Sequence, residues 1–264
     1  ALSIEELRHI LKSRSDIKWE AKDSGIREVF RLDGNNPIPF GLKDDGYDLG
    51  GLIVEHVGNN LEPLPSKLDW RSYNDQTWVS PIRNQAMCGS CVAFATIAAL
   101  ESTIKIAVTK ADLNLDLSEQ YLFSLIGTCN GGAWYMSSIS ALKNWGTPDE
   151  SCFPYMSGRV GLDFESSLVC NDVSSRAYKI NEHQELYGKS AIKEALQKGP
   201  VVTRFDVYED FLYYSSGVYK HVVGSKVGGH AVAIVGYDDE IGACIVQNSW
   251  GTKWGENGFF RIAY

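Results

Sequence analysis

Three short stretches, far apart in the chain, carry side chains that together can do nucleophilic chemistry. Gln85-Ala86-Met87-Cys88-Gly89-Ser90-Cys91 offers a thiol six residues after a glutamine. Gly229-His230-Ala231 offers an imidazole 139 positions downstream, and Gln247-Asn248-Ser249-Trp250-Gly251 an amide 18 further on. A thiol attacks an amide poorly until it loses its proton, so Cys91 needs surroundings that favour the thiolate. His230 as an imidazolium would be one such partner, and the positive end of a helix starting at Cys91 another; both are expected to lower the Cys91 pKa. Asn248 would bond the far ring nitrogen of His230, fixing its tautomer and orientation, with Trp250 shielding that bond from water. The Gln85 side-chain amide and the Cys91 backbone N–H would hold the negative charge developing on an attacked carbonyl oxygen, each donor being worth ~3 kcal/mol of barrier. A lone cysteine would read as a packed core thiol. Three motifs in this order make Cys91, His230, Asn248 and Gln85 the expected catalytic set for acyl transfer.

These side chains need elements to bring them together. From residue 91 to about 108 the chain is apolar nearly all round (Val92, Phe94, Ala95, Ile97, Leu100, Ile104), which predicts a buried helix. Ser90 as its N-cap puts Cys91 in the first turn. Leu117-Ser118-Glu119-Gln120 reads as the start of a second helix and 137–145 as a third. Beyond Gly199-Pro200 the texture turns β-branched and aromatic, at 201–203, 231–237, 243–246 and 259–262, with a hairpin loop at Asp238-Asp239-Glu240-Ile241-Gly242. The Cys and His motifs thus fall in different halves, and the site is expected in the cleft between them. Residues 1–18 read as an amphipathic helix with Ile4, Leu7, Ile10 and Leu11 on one face. The Gly, Asp, Asn and Pro of 33–48, with similar texture near Asn59-Asn60, suggest extended or loosely ordered chain. A new unit starts at Leu64-Pro65-Ser66.

The 264 residues can bury a sizeable core, and 44% apolar with 22% charged residues describes an ordinary globular protein. A net charge of −8 without a basic stripe argues against nucleic acid and anionic membranes as partners. No apolar run approaches the roughly 18 residues of a membrane span. The chain begins Ala1-Leu2-Ser3 without a signal-peptide pattern, so any export signal is expected to be absent from it. Six cysteines lie at 88, 91, 129, 152, 170 and 244. With Cys91 free, two disulfides and one spare thiol are the economical arrangement, which points to an oxidising compartment, secreted or lysosome- or vacuole-like. Cys88-x-x-Cys91 lacks a second ligand pair at zinc spacing, so neither a metal nor a cofactor is expected.

These motifs resemble the papain-like cysteine peptidases, the family of the cathepsins, over residues 64 to about 263. The specific parts are Gln-x-x-Cys-Gly-Ser-Cys, Cys129-Asn130-Gly131-Gly132, Gly-Gly-His-Ala and the run from Asn248 to Gly258. The stretch Asp210-Phe211-Leu212-Tyr213-Tyr214-Ser215-Ser216-Gly217-Val218-Tyr219 looks most like the cathepsin B branch. The resemblance implies an α+β fold, with a helical lobe (about 85–170) and a β-barrel-like lobe (about 171–264) in a catalytic unit spanning 64–264. It implies disulfides Cys88–Cys129 and Cys152–Cys170, with Cys244 free. It places Gly132, Ala133, Trp134, Arg204, Gly229 and Ala231 around the pocket for the second residue before the scissile bond. Gly131 and Gly132 would let a substrate strand reach the main chain. The chain also departs from the family. Val92 stands where a Trp is usual after the nucleophile, Leu125 where a cysteine is common, and the paired histidines of an occluding loop are absent. Arg204 occupies a position where relatives carry a small or apolar residue.

Residues 1–63 lie outside the catalytic resemblance, and the stretch Glu5 to Ala21, ending Lys18-Trp19-Glu20-Ala21, resembles the short propeptide of cathepsin B-like enzymes. In the family such segments cross the cleft against the substrate direction. Trp19 is the expected anchor, and Asp23, Glu28, Asp44, Asp45 and Asp48 the expected acid trigger, with cleavage between about 59 and 66. The expected protein is a monomeric cysteine-type endopeptidase, given in zymogen form, acting on peptides and proteins and restrained by its own N-terminal segment. The alternative is a papain-like relative that is catalytically silent, a binding module, or one that transfers acyl groups as a peptide ligase.

Overall fold

The structure, a computed structural model, describes residues 2–43 and 63–264. Its centre is the helix α3 (Cys91–Ala107), which is α3 because two helices precede it, α1 (Ile4–Ser13) and α2 (Ile26–Val29). The run expected to be apolar all round is buried on most of its circumference. The few polar groups it takes inside are satisfied: Thr96 Oγ1 donates to Ser138 Oγ, Ser102 Oγ to the Ala98 carbonyl, and Glu101 accepts the Leu117 N–H at 2.6 Å. Two further helices pack beside it, α4 (Glu119–Ile126) and α5 (Tyr135–Asn144). Ser118 caps α4 by accepting the Tyr121 N–H at 2.9 Å. Ile97, Leu117, Leu122, Phe123 and Leu142 form the core between them, with the Cys88–Cys129 disulfide inside it.

The other half is a seven-stranded sheet in the order β1 (Lys18–Ala21), β6 (Tyr214–Tyr219), β9 (Phe259–Ala263), β8 (Ala243–Gln247), β7 (Lys226–Asp238) and β2 (Lys67–Asp69). β5 (Val201–Tyr208) also pairs with β7, along 226–234, while β2 pairs with its far end. Among the described strands only β6 and β9 run parallel. A two-residue pair, β3 (Gly127–Thr128) with β4 (Gly132–Ala133), stands apart beside α4. The sheet closes over an aromatic core of Trp19, Phe30, Phe40, Phe211, Tyr214, Tyr219, Trp254 and Phe260. α3 carries Cys91 at its start, and β7 carries His230, so the site lies where the helical half meets the sheet. This is the two-lobed α+β architecture expected. Among the described residues no helix is long and apolar enough to cross a membrane.

Several elements differ from the sequence reading; α2, β1, β2 and β6 are absent from it. The first helix stops at Ser13, five residues early, and 18–21 form an edge strand instead. β6 presents unpaired backbone groups there, and Lys18–Ala21 completes them, which outweighs the weak helix preference of Asp16-Ile17-Lys18. β2 was not anticipated; three residues carry too little pattern to be seen. Within 33–48 the described part turns at 33–36, runs irregularly beyond, and is firmly held. Ile38 donates its N–H to the Phe30 carbonyl at 2.8 Å, and Phe30, Ile38 and Phe40 are buried. Asp44, Asp45, Asp48, Asn59 and Asn60 lie outside the described residues.

Candidate active site

Cys91 opens α3 after Ser90, which holds the N-cap position without a side-chain cap bond; its Oγ is 2.7 Å from the Tyr155 hydroxyl instead. His230 sits on β7, and its Nε2 lies 2.7 Å from Asn248 Oδ1. The Ser249 N–H donates to the same oxygen at 2.8 Å. An atom that accepts there is the amide oxygen, so Nε2 carries the ring proton and Nδ1 holds the lone pair. Trp250 stacks on the imidazole, with ring centroids 4.8 Å apart and planes 27° apart. Gln85 is clamped as well: Ser249 Oγ donates to its Oε1 at 2.7 Å, and its backbone carbonyl accepts the Tyr155 hydroxyl at 2.8 Å. Sequence reasoning gave no role to Ser249 or Tyr155, which orient Gln85 and its loop. Ser249 lies inside a quoted motif; Tyr155 left no signal.

The charge state differs from expectation. Cys91 and His230 are both fully buried, and desolvation pushes the thiol up to about 12 and pulls the imidazole down to about 4. Cys91 Sγ accepts the Ala231 N–H at 3.3 Å, whereas His230 Nδ1 has no hydrogen-bond partner. Both shifts favour the neutral forms. In this covered form burial works against the expected thiolate–imidazolium pair.

Residues 40–43 provide the cover. The Phe40 carbonyl accepts the Gln85 Nε2–H at 2.7 Å and the Cys91 N–H at 3.2 Å, the same two donors expected to serve an oxyanion. The Phe40 ring lies 5.6 Å from His230 and 5.3 Å from Trp250, closing the imidazole off from water. Gly41 follows with φ +123°, and an added Cβ would sit 2.2 Å from the Gly89 carbonyl oxygen; only glycine fits there. The Ala133 N–H donates to the Gly41 carbonyl at 2.7 Å, and the Lys43 N–H to the Ala133 carbonyl at 3.0 Å. The strand contact expected at Gly131 and Gly132 is thus made by Ala133, and Leu42 pairs with it in parallel. Gly131 is exposed, while Gly132 takes φ +65° with the Gly41 carbonyl pressed against it.

The remaining pocket residues gather around Leu42. It packs with Ala133, Ala231 and Val202, and lies against Gly229. Val92, in place of the usual Trp, is buried in the same cluster. Trp134 is 41% exposed at the rim, with Lys43 Nζ 5.7 Å from its ring centroid. Arg204, half-buried, stands opposite Ala231 on β5. The disulfides join Cys88 to Cys129 and Cys152 to Cys170, leaving Cys91 and Cys244 free, the pattern that the resemblance implied.

A model of the papain family cysteine proteases matches residues 64–264. Cathepsin B-like CP3 of Giardia intestinalis is 37% identical over 277 residues, covering 99% of this chain and 89% of the relative. Mouse pro-cathepsin H is 40% identical over 213 residues, covering 76% of this chain and 60% of the relative. Among solved structures, the digestive procathepsin L2 of Tenebrio molitor larval midgut aligns with TM-score 0.63 at 32% identity, over 78% of this chain and 64% of that one. Procathepsin B S9 of Trypanosoma congolense aligns with TM-score 0.73 at 22% identity, over 98% and 91%, a likeness of fold. The chain belongs to the papain family of cysteine proteases.

Proposed function

We propose that this chain is the precursor of a cysteine endopeptidase, with 64–264 as the catalytic unit and 1–63 as the segment that blocks it. The observation that carries the proposal is the Phe40 carbonyl, which accepts bonds from Gln85 Nε2 and the Cys91 N–H as a scissile carbonyl would. Residues 41–43 lie beside Ala133 in parallel. The resemblance gives such segments a direction opposite to substrate, so the carbonyl fills the site without offering a cleavable bond in register. That matched proteins are named procathepsins agrees with a precursor.

Once the segment leaves, His230 Nδ1 takes the Cys91 proton and the sulfur attacks the substrate carbonyl carbon. The oxygen's charge is held by Gln85 and the Cys91 N–H. His230 returns its proton to the leaving amine, water then attacks the thioester, and His230 serves again as base. Asn248 keeps the ring in the tautomer this sequence requires. Cleavage inside chains rather than at their ends is supported by the absence of an occluding histidine pair; between 129 and 199 only His183 occurs, and it is exposed. One chain supplies every residue of the site, which suits a monomer, and two disulfides fit an oxidising compartment such as a lysosome-like organelle or the cell exterior.

The test is hydrolysis of an internally quenched peptide by the full chain, before and after release of the segment by limited proteolysis. Activity should rise on release and vanish with Cys91→Ala. Equal activity before and after removes the inhibitory segment, and undiminished activity in Cys91→Ala removes the nucleophile.

A further inference from the structure

Leu42, two residues beyond the carbonyl held at the Gln85 amide, marks a pocket that begins beside Cys91. An added Cβ on Gly229 would come within 3.2 Å of Leu42 Cδ2, so the side chain lies flush on β7. The outer wall is β5, whose residues alternate between two sides as a strand requires. Val201, Phe205 and Val207 turn into the aromatic core, whereas Val202 packs with Cys91, Ala231 and Leu42. Arg204 and Asp206 therefore share the side of Val202, facing the pocket. The register sets Arg204 opposite Ala231, with Asp206 opposite Gly229 and Val202 opposite Ala233. Those three β7 residues are small, and Ala231 and Ala233 are buried, so the strand opposite Arg204 offers an apolar floor. Asp206 is bound to Lys226 Nζ at 2.8 Å. Arg204 has an interaction of its own in this blocked form, which an incoming group must share or replace.

We infer that Arg204 makes this pocket select an acidic side chain, glutamate above all, at the second residue before the scissile bond. The inference rests on the protease reading given above. Its physics is that of a half-buried planar fork meeting a carboxylate, while the methylenes of glutamate cover the Ala231 and Val202 surface where Leu42 now lies. A lysine or a neutral amide would forgo the two-point bond.

The experiment uses chain folded whole and then freed of its segment by limited proteolysis, with three peptides identical except for Glu, Gln or Lys at that position. Glu against Gln isolates charge at constant shape. The native enzyme should favour Glu over Gln by about tenfold or more in kcat/KM, the scale of a charge-assisted bond. Arg204→Gln should bring the two peptides level, Arg204→Lys should retain part of the preference, and Arg204→Glu should turn it toward Lys. Equal rates for Glu and Gln in the native enzyme, or a preference that survives Arg204→Gln, overturns the inference. Should no peptide be cleaved at all, the protease reading fails by itself. The same peptide pair binding to the Cys91→Ala protein then decides Arg204, by whether Glu binds tighter than Gln and loses that advantage in Arg204→Gln.

Discussion

Burial, not bonding, holds Cys91 and His230 neutral. Where the imidazole meets water, the burial that pulls its pKa down to about 4 is relieved and the pKa rises toward or above the free value of about 6.5. The open form therefore binds a proton that the covered form does not. Stability of the covered form is complete above about pH 6.5 and falls as pH drops toward about 4. Cys91 acts at the other end: burial pushes its pKa up to about 12, so the covered form loses stability again as pH climbs toward that value. Spontaneous gain of activity by the full chain should be faster at about pH 4.5 than at about pH 7.5; a rate flat across that window would contradict the mechanism. This acts beside the carboxylate trigger expected from the sequence, of which Asp44, Asp45 and Asp48 lie outside the described residues. Asp23 accepts the local Gly25 N–H, and on the catalytic side Glu209 accepts the Leu2 N–H at 3.1 Å and lies 3.8 Å from Arg27. Burial alone would raise the Glu209 pKa, but the Ser225 and Leu2 N–H bonds and the Arg27 charge outweigh it and leave it lowered. Its contribution likewise falls in acid. Gln85→Ala should cost ~10²–10³ in turnover of the freed enzyme by loss of one oxyanion donor. A loss under about threefold would assign Gln85 to the scaffold.

Among the elements, the four residues 40–43 decide whether the site is open. Gly41→Ala places a Cβ 2.2 Å from the Gly89 carbonyl oxygen at a φ that L residues avoid. Such strain costs about 1–3 kcal/mol. The full-length variant should therefore show partial activity where the native chain shows little, while the freed enzymes match, because Gly41 departs with the segment. Trp19, at 5% exposure, packs on Tyr214 and Tyr219 and donates its Nε1–H to the Lys220 carbonyl at 3.0 Å. Trp19→Ala should loosen the same segment by ~3–5 kcal/mol, seen as faster activation. On the catalytic side, the Cys88–Cys129 bridge spans 41 residues. Replacing both cysteines with serine should lower unfolding stability by ~2–4 kcal/mol, read from a denaturant midpoint. An unchanged midpoint would mean that helix packing alone holds the Cys91 loop.

At the scale of the whole molecule, the parts readable from sequence were those where side-chain type and period carry the message. An all-apolar run announced α3, alternation and β-branching announced β7 and β8, and three polar motifs announced the meeting of Cys91, His230, Asn248 and Gln85. What stayed hidden depends on backbone. The Phe40 carbonyl has no side-chain signature, and Gly41 looks like any turn glycine until Gly89 is known to lie against it. β1 exists because β6 offers an edge, not because Lys18-Trp19-Glu20-Ala21 prefers to be a strand. The neutral Cys91–His230 site was hidden for a related reason: the segment that covers it is remote in sequence and joined to it mainly through main-chain bonds. The central claim joins these scales, a Cys91 nucleophile kept covered by residues 40–43. It is tested most directly by intact mass after exposure to an epoxide thiol reagent, on the full chain and on chain freed of its segment, under matched conditions. The expected result is one adduct, mapped to Cys91, forming rapidly in the freed protein and slowly in the full chain. Equal labelling of both forms, or an adduct on Cys244 with Cys91 untouched, would contradict it.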